Sequence, residues 1–400
     1  MEIELEQIAG ICKNTLQWAR DRDYTGWEKH DALNSPLLKA ALGRGKWSRI
    51  LAIQGVMRFP VNLRPLLGVR MHKNPKGVSL FARACLNLYT ATGEPGRLQE
   101  GCRLLDWLLD NTAGGPWPGI SWGYPYPWQD PGFFAPSGSP NRIVTYFAGR
   151  ALVHGYEVTG EEKYLDAARE AVDFILKAPK VLESSEEMLC LSYVPDEQIT
   201  MTVMDVSALC GALCAAVGKH TGDVHLMREA RRLMAWVADK QTDYGAWFYT
   251  HPADQSHITH DNYHTGEIVD ALFEYHEYSG DGSFQDIFEK GLKYYRETLF
   301  TVDMRPKWMN DREYPFDIHG YSQGIITFAM AGDMETAGRI AAAAIQDMWS
   351  PRQNRWFHQK RRFSTRKSTL MRWSQGWMCF ALSSYWVRAL SHGSHGEEGS

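Results

Sequence analysis

The sequence has few cysteines and no long apolar segment, and both absences narrow the class of protein. Its seven cysteines are odd in number and scattered, without the spacing of a zinc site or a disulfide framework, which indicates a reducing compartment. No apolar run approaches the roughly 20 residues of a transmembrane helix, and the acidic start MEIELEQIAG lacks the pattern of a secretory signal. We therefore expect a cytoplasmic protein without a membrane span.

A charge excess and cofactor-binding motifs are also missing. The formal net charge is -4, so the sequence lacks the basic surface of a nucleic-acid-binding protein. It contains no G-x-x-x-x-G-K-[ST] or H-E-x-x-H motif and no glycine-rich fingerprint after a strand, and GYSQG at 320–324 resembles a nucleophile elbow only superficially. We predict neither a cofactor nor a metal.

Aromatic residues, in contrast, are abundant, with 15 Trp, 18 Tyr and 16 Phe. Most such rings fill protein cores, because each buries a large apolar area. Tryptophans concentrated in loops point to another use, since their flat faces can stack on sugar rings. The segment 117–141 is rich in such rings.

A phrase of threonine, serine or alanine, then glycine, then an acidic residue recurs roughly every sixty residues. Glycine accepts the left-handed conformation that ends a helix, and the acidic residue favours the N-terminus of the next helix. A period of this length suits a helical hairpin with its connections. The copies lie at 92–94, 159–161, 221–223, 279–281 and 331–333.

The helices on the two sides of this phrase differ in composition. Those after it, at 161–178, 224–241 and 283–300, are amphipathic, as outer helices would be. Those before it are rich in small residues, which permit close packing in an inner ring. The six inner helices are predicted at 77–91, 141–158, 204–220, 263–278, 319–331 and 372–390.

The sequence therefore predicts an all-α fold, a closed (α/α)6 toroid of six helical hairpins with short β-like loop segments. It would form one domain over residues 1–392, followed by a flexible tail at 393–400. An open solenoid is the alternative, but it needs polar capping repeats, which the sequence lacks. Hairpin geometry places all inner-helix N-termini on one face, and the long loops that lead into them carry function more often than tight turns.

Several blocks of sequence resemble a known family. They are WGYPYPWQ, PSGSPN, TGEEKYLDAA, DNYHTGE, DIHGYSQGIITF and MRWSQGWMCFALS, and the resemblance spans about residues 20 to 390. The family consists of six-hairpin proteins that are often encoded beside exopolysaccharide or O-antigen assembly enzymes. The wider six-hairpin group includes glycoside hydrolases, unsaturated glucuronyl hydrolases, sugar 2-epimerases and uronate lyases or epimerases. The resemblance implies the toroid and a carbohydrate substrate, without choosing one reaction.

The densest polar cluster lies at 257–267 and contains three histidines. Asp261 or Asn262 is a natural N-cap for the helix that follows, which leaves the histidines unexplained. His264 and Glu267 share one helix face and can form an acid/base pair near neutral pH. A metal site built from His257, His260, His264 and Asp261 is a weaker alternative, because the spacing is no strong zinc signature.

Two further inner-helix starts carry candidate catalytic groups. Asp317 is expected to cap its helix, and His319 and Gln323 lie one turn apart on the same face. Because neighbouring hairpins adjoin, His319 should face the 261–264 cluster. Asp205 heads another inner helix, either as a cap or as a general acid. The structural alternative for all of these residues is capping and polar core packing.

Substrate binding is predicted for loop aromatic residues and for charged residues at the helix starts. The rings of segment 117–141 form a plausible stacking platform, and Arg372, near the basic run 360–367, could attract a carboxylate or phosphate. The predicted substrate-binding residues are Asp31, Trp122, Tyr124, Trp128, Asp130, Arg142, Gln323, Arg372 and Trp373.

These residues favour a carbohydrate-active enzyme for a surface polysaccharide or oligosaccharide, preferably anionic and uronate-containing. The leading hypothesis is glycosidic hydrolysis by two flanking carboxyl groups, Asp205 with Asp261 or Asp317. The rival hypothesis is uronate C5-epimerisation or β-elimination, with His264, His319 or a tyrosine as base. In that reaction Arg372 would neutralise the uronate.

A non-catalytic role as a glycan-binding or scaffold protein remains open, because a fold does not fix a function. A terpene-cyclase-like role is less favoured, since neither a D-D-x-x-D nor a D-x-D-D motif is found. The sequence leaves the oligomeric state undetermined.

Overall fold

A computed structural model describes residues 4–397, with side chains described as far as Ser391. This part of the chain contains fourteen α-helices. They are α1 Leu5–Arg20, α2 Pro36–Leu42, α3 Lys46–Arg58, α4 Pro75–Thr92, α5 Pro95–Asp110, α6 Arg142–Thr159, α7 Glu162–Lys177, α8 Met204–Thr221, α9 Val224–Asp239, α10 Asn262–Ser279, α11 Gln285–Thr298, α12 Ile318–Met330, α13 Met334–Met348 and α14 Trp377–Glu397. A single π-helical segment, Met371–Gly376, leads directly into α14.

The strands are short and lie in the connections between helices. They are β1 Thr25–Gly26, β2 His72–Lys73, β3 Trp128–Gln129, β4 Phe134–Ala135, β5 Val181–Ser184, β6 Leu189–Leu191, β7 Phe316–Asp317, β8 Trp349–Ser350, β9 Arg355–Trp356, β10 Gln359–Lys360 and β11 Thr365–Arg366. All pairings are antiparallel, and β7, β10 and β11 form one three-stranded sheet. This sheet holds the start of α12 against the loop that precedes α14.

Twelve of the helices form two concentric rings. In the inner ring α4, α6, α8, α10, α12 and α14 each contact the next helix, and α14 contacts α4, so the ring is closed. The outer helices α5, α7, α9, α11 and α13 each pack on the inner helix that precedes them. The predicted (α/α)6 toroid is confirmed, with all six inner helices near their predicted positions.

The sixth hairpin joins the two ends of the described chain. Helix α1 packs against α14 as the sixth outer helix, and Sγ of Cys12 lies 3.9 Å from Sγ of Cys379. The sequence gives no local sign of this partner, because the two helices are more than 350 residues apart and no short turn links them.

The turns between inner and outer helices have the predicted left-handed glycines. Their φ angles lie between 67° and 81°, at Gly93, Gly160, Gly222, Gly280 and Gly332. An L-residue with a side chain rarely adopts this conformation, which explains why glycine recurs at this point of each hairpin. Among the acidic residues that follow, Asp223 and Asp333 accept hydrogen bonds from the first turn of the next helix, as predicted.

Small residues allow the inner helices to approach each other closely. A Cβ atom added at Gly149 in α6 would lie 2.6 Å from Cδ2 of Leu213 in α8. Helix α8 is buried continuously from Met204 to Gly218, as expected for a helix that packs on several neighbours.

Helices α2 and α3 form an additional hairpin that the sequence analysis did not predict. It has its own small apolar cluster of Ala32, Leu33, Ala52, Ile53 and Val56, separate from the main core. Helix α2 buries none of its residues, and α3 buries only Ala52, Ile53 and Val56. Their sequences therefore lack a clear helical periodicity of apolar residues. The hairpin covers one side of the face that carries the inner-helix N-termini.

The C-terminal helix α14 continues to Glu397, through part of the segment predicted as a tail; the last residues, 398–400, lie outside the described part of the chain. Among the described residues, no helix combines the length and apolarity needed to cross a membrane.

Candidate functional site

A cleft of about 590 Å³ opens on the face formed by the inner-helix N-termini, where the sequence predicts the functional site. Every inner helix contributes to its wall near its own start. The lining residues from the inner helices and their immediate N-terminal flanks include Lys76, Ile143, Asp205, His264, His319 and Arg372. Helix α3 and the loops complete the rim. Residues that are far apart in the sequence therefore meet in one hollow.

His264 is paired with the residue that immediately precedes its helix. Nδ1 of His264 lies 2.9 Å from Oδ2 of Asp261, the N-cap position of α10. Burial lowers the pKa of His264, but the charge and hydrogen bond of Asp261 outweigh this effect and raise the pKa to about 9. His264 is therefore an imidazolium at neutral pH and can donate a proton.

His319 has the opposite protonation state from His264. It is 1% exposed, its ring stacks on Tyr263 at 4.5 Å, and Trp373 and Trp377 contact it at 4.6 and 4.3 Å. Neither ring nitrogen has a hydrogen-bond partner within residues 4–397. Burial, assisted by the charge of Lys76, lowers the pKa of His319 well below its usual value. This side chain is a neutral imidazole that can accept a proton.

Glu267 lies between these two histidines. Its Oε1 atom is 4.0 Å from Nε2 of His319 and 3.8 Å from Nζ of Lys76. Burial raises the pKa of Glu267 to about 7; Lys76 opposes this shift and Asp205 adds to it. Burial also lowers the pKa of Lys76 to about 8, against the attraction of Glu267. These groups can exchange protons near neutral pH.

Three side chains at this point of the cleft also carry the donor atoms that a metal ion would need. Donor atoms of Asp205, His264 and Glu267 lie within 4.8 Å of one another, and carboxylates with imidazole can ligate divalent cations. Asp261 holds His264 in its protonated form, so a cation would have to displace a proton from the imidazole ring before the ring could coordinate it. Proton transfer is the chemistry that this arrangement supports best.

Asp317 positions other residues instead of lining the cleft. It accepts hydrogen bonds from the backbone N–H of His319 at 3.0 Å and from Nε1 of Trp373 at 2.7 Å, and Nζ of Lys29 lies 3.6 Å away. Burial favours the neutral form, but Lys29 and His358 hold the pKa of Asp317 well below its usual range. A permanent carboxylate with these partners is unsuited to act as a general acid.

The N-terminal loop contributes two buried ion pairs. Nε of Arg372 donates to Glu28 at 3.0 Å, and Nε of Arg64 donates to Asp31 at 2.7 Å. Burial raises the pKa of Glu28 to about 7 although Arg372 opposes it. Arg372 lines the cleft with its guanidinium already bound to the carboxyl group of Glu28, while Asp31 is absent from the cleft lining. Asp31 is therefore a support residue and not the substrate contact that the sequence predicts.

Aromatic rings form one wall of the cleft. Tyr124 and Trp128 both line it, with ring centroids 5.9 Å apart and planes at 86°. Trp128 also packs edge-to-face on Phe133 at 5.2 Å, which fixes its orientation. Asp130, 7% exposed, lies beside this wall, and Trp373 contributes to the lining as well. These predicted substrate-binding residues all reach the cleft.

Three other predicted substrate-binding residues lie outside the cleft lining. Trp122 is fully buried and its Nε1 donates to the carbonyl of Leu108, so it is a core residue. Arg142 is also fully buried, and its guanidinium donates to loop carbonyls, including those of Ser192 and Ala178. Gln323 donates to Asp270 at 2.6 Å, one turn below the cleft. Each is a structural residue, because its polar groups are directed into the protein.

The remaining histidines of the dense cluster do not converge with His264. His260 bonds Tyr244 through Nε2 at 2.9 Å and the carbonyl of Trp247 through Nδ1 at 2.8 Å, so both ring nitrogens are used away from the cleft. His257 packs edge-on against Tyr249 at the rim. The metal site considered from the sequence is therefore not formed by these side chains.

Sequence reasoning missed Lys29, Lys76 and Tyr263. Lys76 lies in the first turn of α4, and Lys29 packs over the ring of Trp373 at 3.7 Å. Lysines usually mark solvent-exposed positions, so neither position stands out in the sequence. Lys76 could have been identified from its position in the first turn of an inner helix. A cation is unfavourable there because it opposes the helix dipole.

The closed double ring with a polar cleft at the inner-helix N-termini defines the class of (α/α)6 toroid proteins. No protein-family model matches the chain, and no curated protein matches it in sequence. Solved structures do match its fold. A cellobiose 2-epimerase from Bacillus thermoamylovorans aligns with a TM-score of 0.61 at 12% identity, over 79% of this chain and 90% of the epimerase.

Two further solved structures also match the fold. An unsaturated glucuronyl hydrolase specific for heparin aligns with a TM-score of 0.59 at 10% identity, over 82% of this chain and 89% of that one. The GH76 alpha-mannanase of Bacteroides thetaiotaomicron gives a TM-score of 0.56 at 12% identity, over 81% and 88%. At these identities the comparisons establish the fold, and the reaction must be argued from the cleft.

Proposed function

We propose that this protein is a carbohydrate-acting enzyme that moves a proton on a sugar carbon next to a carbonyl or carboxylate group, as an epimerase or isomerase does. The observation that carries the proposal is the pair of histidines with opposite protonation states in one cleft. A histidine must be neutral to accept a proton and protonated to donate one. His319 and His264 meet these two requirements.

In this reaction His319 takes the proton from the sugar carbon, and the electron pair of the C–H bond moves onto the neighbouring carbonyl oxygen. His264 and Lys76 stabilise the negative charge that develops on that oxygen, because both are cationic and largely shielded from water. Return of a proton from His264 to the same carbon on the other face gives the epimer, and water restores the protonation states of the two histidines. For the isomer, His319 returns its proton to the adjacent carbon while the hydroxyl proton of the first carbon moves to the former carbonyl oxygen. Tyr263 lies between the histidines, 4.1 Å from one and 4.5 Å from the other.

The carbohydrate class rests on the aromatic wall and on the names of the matching structures, which include epimerases, a mannanase and a glucuronyl hydrolase. The charged residues of the cleft lining are equal in number, since Lys29, Arg58, Lys76, Arg312 and Arg372 are matched by Asp130, Asp205, Asp261, Glu267 and Asp311. The exposed guanidinium groups of Arg58 and Arg312 are the ones that an anionic sugar would contact at the rim. The balanced charge of Arg372 makes it a weaker partner for a uronate than the sequence indicates.

Glycosidic hydrolysis is the second candidate, favoured by the carboxyl groups of Asp205 and Glu267. Oxygen atoms of the two lie within 4.8 Å of each other, near the roughly 5 Å separation of retaining glycosidases. Glu267, with a pKa of about 7, could supply the acid and Asp205 the nucleophile. Hydrolysis requires the two carboxyl groups to lie on either side of the glycosidic bond. Asp205 instead contributes to the raised pKa of Glu267, as expected for two carboxyl groups that share a proton.

Product analysis by nuclear magnetic resonance tests the proposal. The protein is incubated with reducing disaccharides, hexoses and uronate oligosaccharides, together with the variants His319→Gln and Asp205→Asn. Epimer or ketose formation that is lost in His319→Gln supports proton transfer. New reducing ends that are lost in Asp205→Asn, with His319→Gln still active, would establish hydrolysis instead.

Two other outcomes of the same panel separate the remaining hypotheses. Formation of an unsaturated uronate, which absorbs in the ultraviolet, would identify β-elimination. Tight glycan binding without any product, unaffected by either variant, would identify a non-catalytic glycan-binding protein. Both outcomes would contradict the proposed epimerase or isomerase.

A further inference from the structure

A second cavity lies at the opposite end of the toroid axis from the cleft. Its volume is about 370 Å³, and residues from all six inner helices line it. We call it the rear cavity and define it by Arg83, Arg150, His154, Lys219, Glu274 and Arg388. On α4 the cleft residue Lys76 and the rear-cavity residue Arg83 are about 10 Å apart along the helix axis, at 1.5 Å per residue.

Two arginines of the rear cavity share one carboxylate. Arg150 donates to Glu274 through Nη2 at 2.9 Å and through Nε at 3.1 Å, and Nη2 of Arg83 lies 3.8 Å from the same carboxylate. Both side chains are largely shielded from water, Arg150 being 3% exposed. One buried negative charge thus faces two buried positive charges, an arrangement that favours a further anion.

Three N–H or ring-nitrogen positions in this cavity are also unused. Nη1 of Arg150, Nε of Arg83 and Nδ1 of His154 are buried, and none has a hydrogen-bond partner among the described residues. An unsatisfied buried donor costs about 1–3 kcal/mol, so a group that accepts hydrogen bonds from the two guanidinium groups, and from His154 in the tautomer with a proton on Nδ1, would bind with a gain. The three nitrogens belong to α4 and α6, which requires an acceptor whose lone pairs point in several directions.

The remaining charged residues of the lining are equal in number. Lys219 and Arg388 add two positive charges, and Glu157 and Glu277 add two negative ones. Glu157 is occupied at the rim, where Tyr278 donates to it at 2.7 Å and His220 lies 2.9 Å away. The excess positive charge is therefore located at Arg83 and Arg150.

We propose that the rear cavity is a binding site for a small tetrahedral oxyanion, either inorganic phosphate or the phosphate group of a phosphorylated sugar. A phosphate group offers acceptor oxygens in several directions and matches guanidinium donors, as the unused nitrogens on two helices require. A carboxylate, held by one arginine in a planar pair, would leave the other donors unsatisfied. The site is separate from the proposed catalytic cleft, so binding there does not depend on the proposed reaction.

Calorimetric titration of the full-length protein with inorganic phosphate, at constant ionic strength, tests this proposal. Arg83→Gln removes one of the two arginines, and Ser384→Asp places a carboxylate in the cavity wall without breaking the Arg150–Glu274 pair. Each variant should weaken phosphate binding by at least about tenfold, since a charge-assisted contact is lost or opposed. The matched controls are Arg169→Gln, on the exposed face of outer helix α7, and the uncharged Ser384→Asn.

Saturable binding that both test variants weaken and both controls retain supports the proposal. A crystal soaked in selenate should then show an anomalous peak between Arg83, Arg150 and His154. Tighter binding of a hexose 6-phosphate than of phosphate identifies a phosphorylated sugar as the ligand, and the reverse order identifies free phosphate. A heat of binding that does not saturate in the unmodified protein would overturn the proposal. Equal phosphate binding by Ser384→Asp and Ser384→Asn would also overturn it, even if Arg83→Gln does not fold.

Discussion

Nε2 of His319 lies 4.0 Å from Oε1 of Glu267, and neither atom has a hydrogen-bond partner elsewhere in residues 4–397. The separation is too long for a hydrogen bond and too short for an intervening water molecule with good geometry on both sides. Two buried polar atoms that face each other without bonding are costly for the folded protein. Such groups are typical of a site whose partner arrives with the substrate.

Replacement of His319 is expected to abolish most of the activity. His319→Gln keeps a polar side chain in contact with Tyr263 but removes the ring that accepts the proton, so kcat should fall by about 10²- to 10⁴-fold. Steady-state kinetics on the substrate found in the product screen measure this. The control His225→Asn, on the exposed face of α9, should retain the original kcat. Equal activity of the two variants would exclude His319 as the base.

Removal of the carboxylate of Asp261 is expected to change how stability depends on pH. The folded pKa of His264 is about 9, above the value of about 6.5 in an unfolded chain, so the pair stabilises the fold fully below pH 6.5. This contribution is lost as the pH rises through 9. Asp261→Asn removes it, on the order of 2 kcal/mol at pH 6.5, with little effect above pH 9.

Denaturant unfolding of both proteins between pH 6 and pH 10 measures this difference. The two free energies of unfolding should converge as the pH rises, because the same buried groups other than Asp261 titrate in both. Curves that stay parallel over the whole range would show that Asp261 does not hold His264 in its charged form.

Truncation of Trp128 is expected to weaken substrate binding more than catalysis. Its ring lines the cleft but lies on the aromatic wall, apart from the two histidines. Trp128→Ala should raise KM about tenfold with a smaller change in kcat, since a stacking contact contributes roughly 1–2 kcal/mol. Trp128→Phe, which keeps a flat ring, should recover most of the loss. A fall in kcat alone would place Trp128 in the chemical step.

Close packing of the inner ring gives a stability prediction. A Cβ atom at Gly149 would meet Cδ2 of Leu213 at 2.6 Å, so Gly149→Ala should destabilise the protein by about 1–3 kcal/mol. The control is Gly10→Ala in α1, where the added Cβ meets no atom within 4 Å among the described residues. That change should stabilise helix α1 by about 0.5–1 kcal/mol. Thermal unfolding of the two variants distinguishes these effects.

The fold was predictable because its determinants are local. A left-handed glycine must end each inner helix, and the composition of each helix follows from the ring in which it lies. Helix α1 and the α2–α3 hairpin escaped prediction for a different reason. Helix α1 pairs with α14 only across the closed ring, and the exposed apolar residues of α2 and α3, such as Leu37 and Leu51, blur their periodicity.

The candidate site was predictable only in part. Asp205, His264, Glu267 and His319 could be placed at inner-helix starts, and the closed ring brings them together in the cleft. Side-chain direction was not predictable, because a ring such as that of Trp122 enters the core while Trp128, six residues later, faces the cleft. Pairings across hundreds of residues, such as Glu28 with Arg372, also leave no local pattern.

The most direct test of the proton-transfer account is isotope exchange from the solvent. The protein and a sugar that it converts are incubated in D₂O, and deuterium at the carbon beside the carbonyl or carboxylate group is followed by nuclear magnetic resonance. The account predicts that deuterium enters this carbon during turnover and that His319→Gln loses the exchange together with the activity. Turnover without any deuterium on carbon would contradict it.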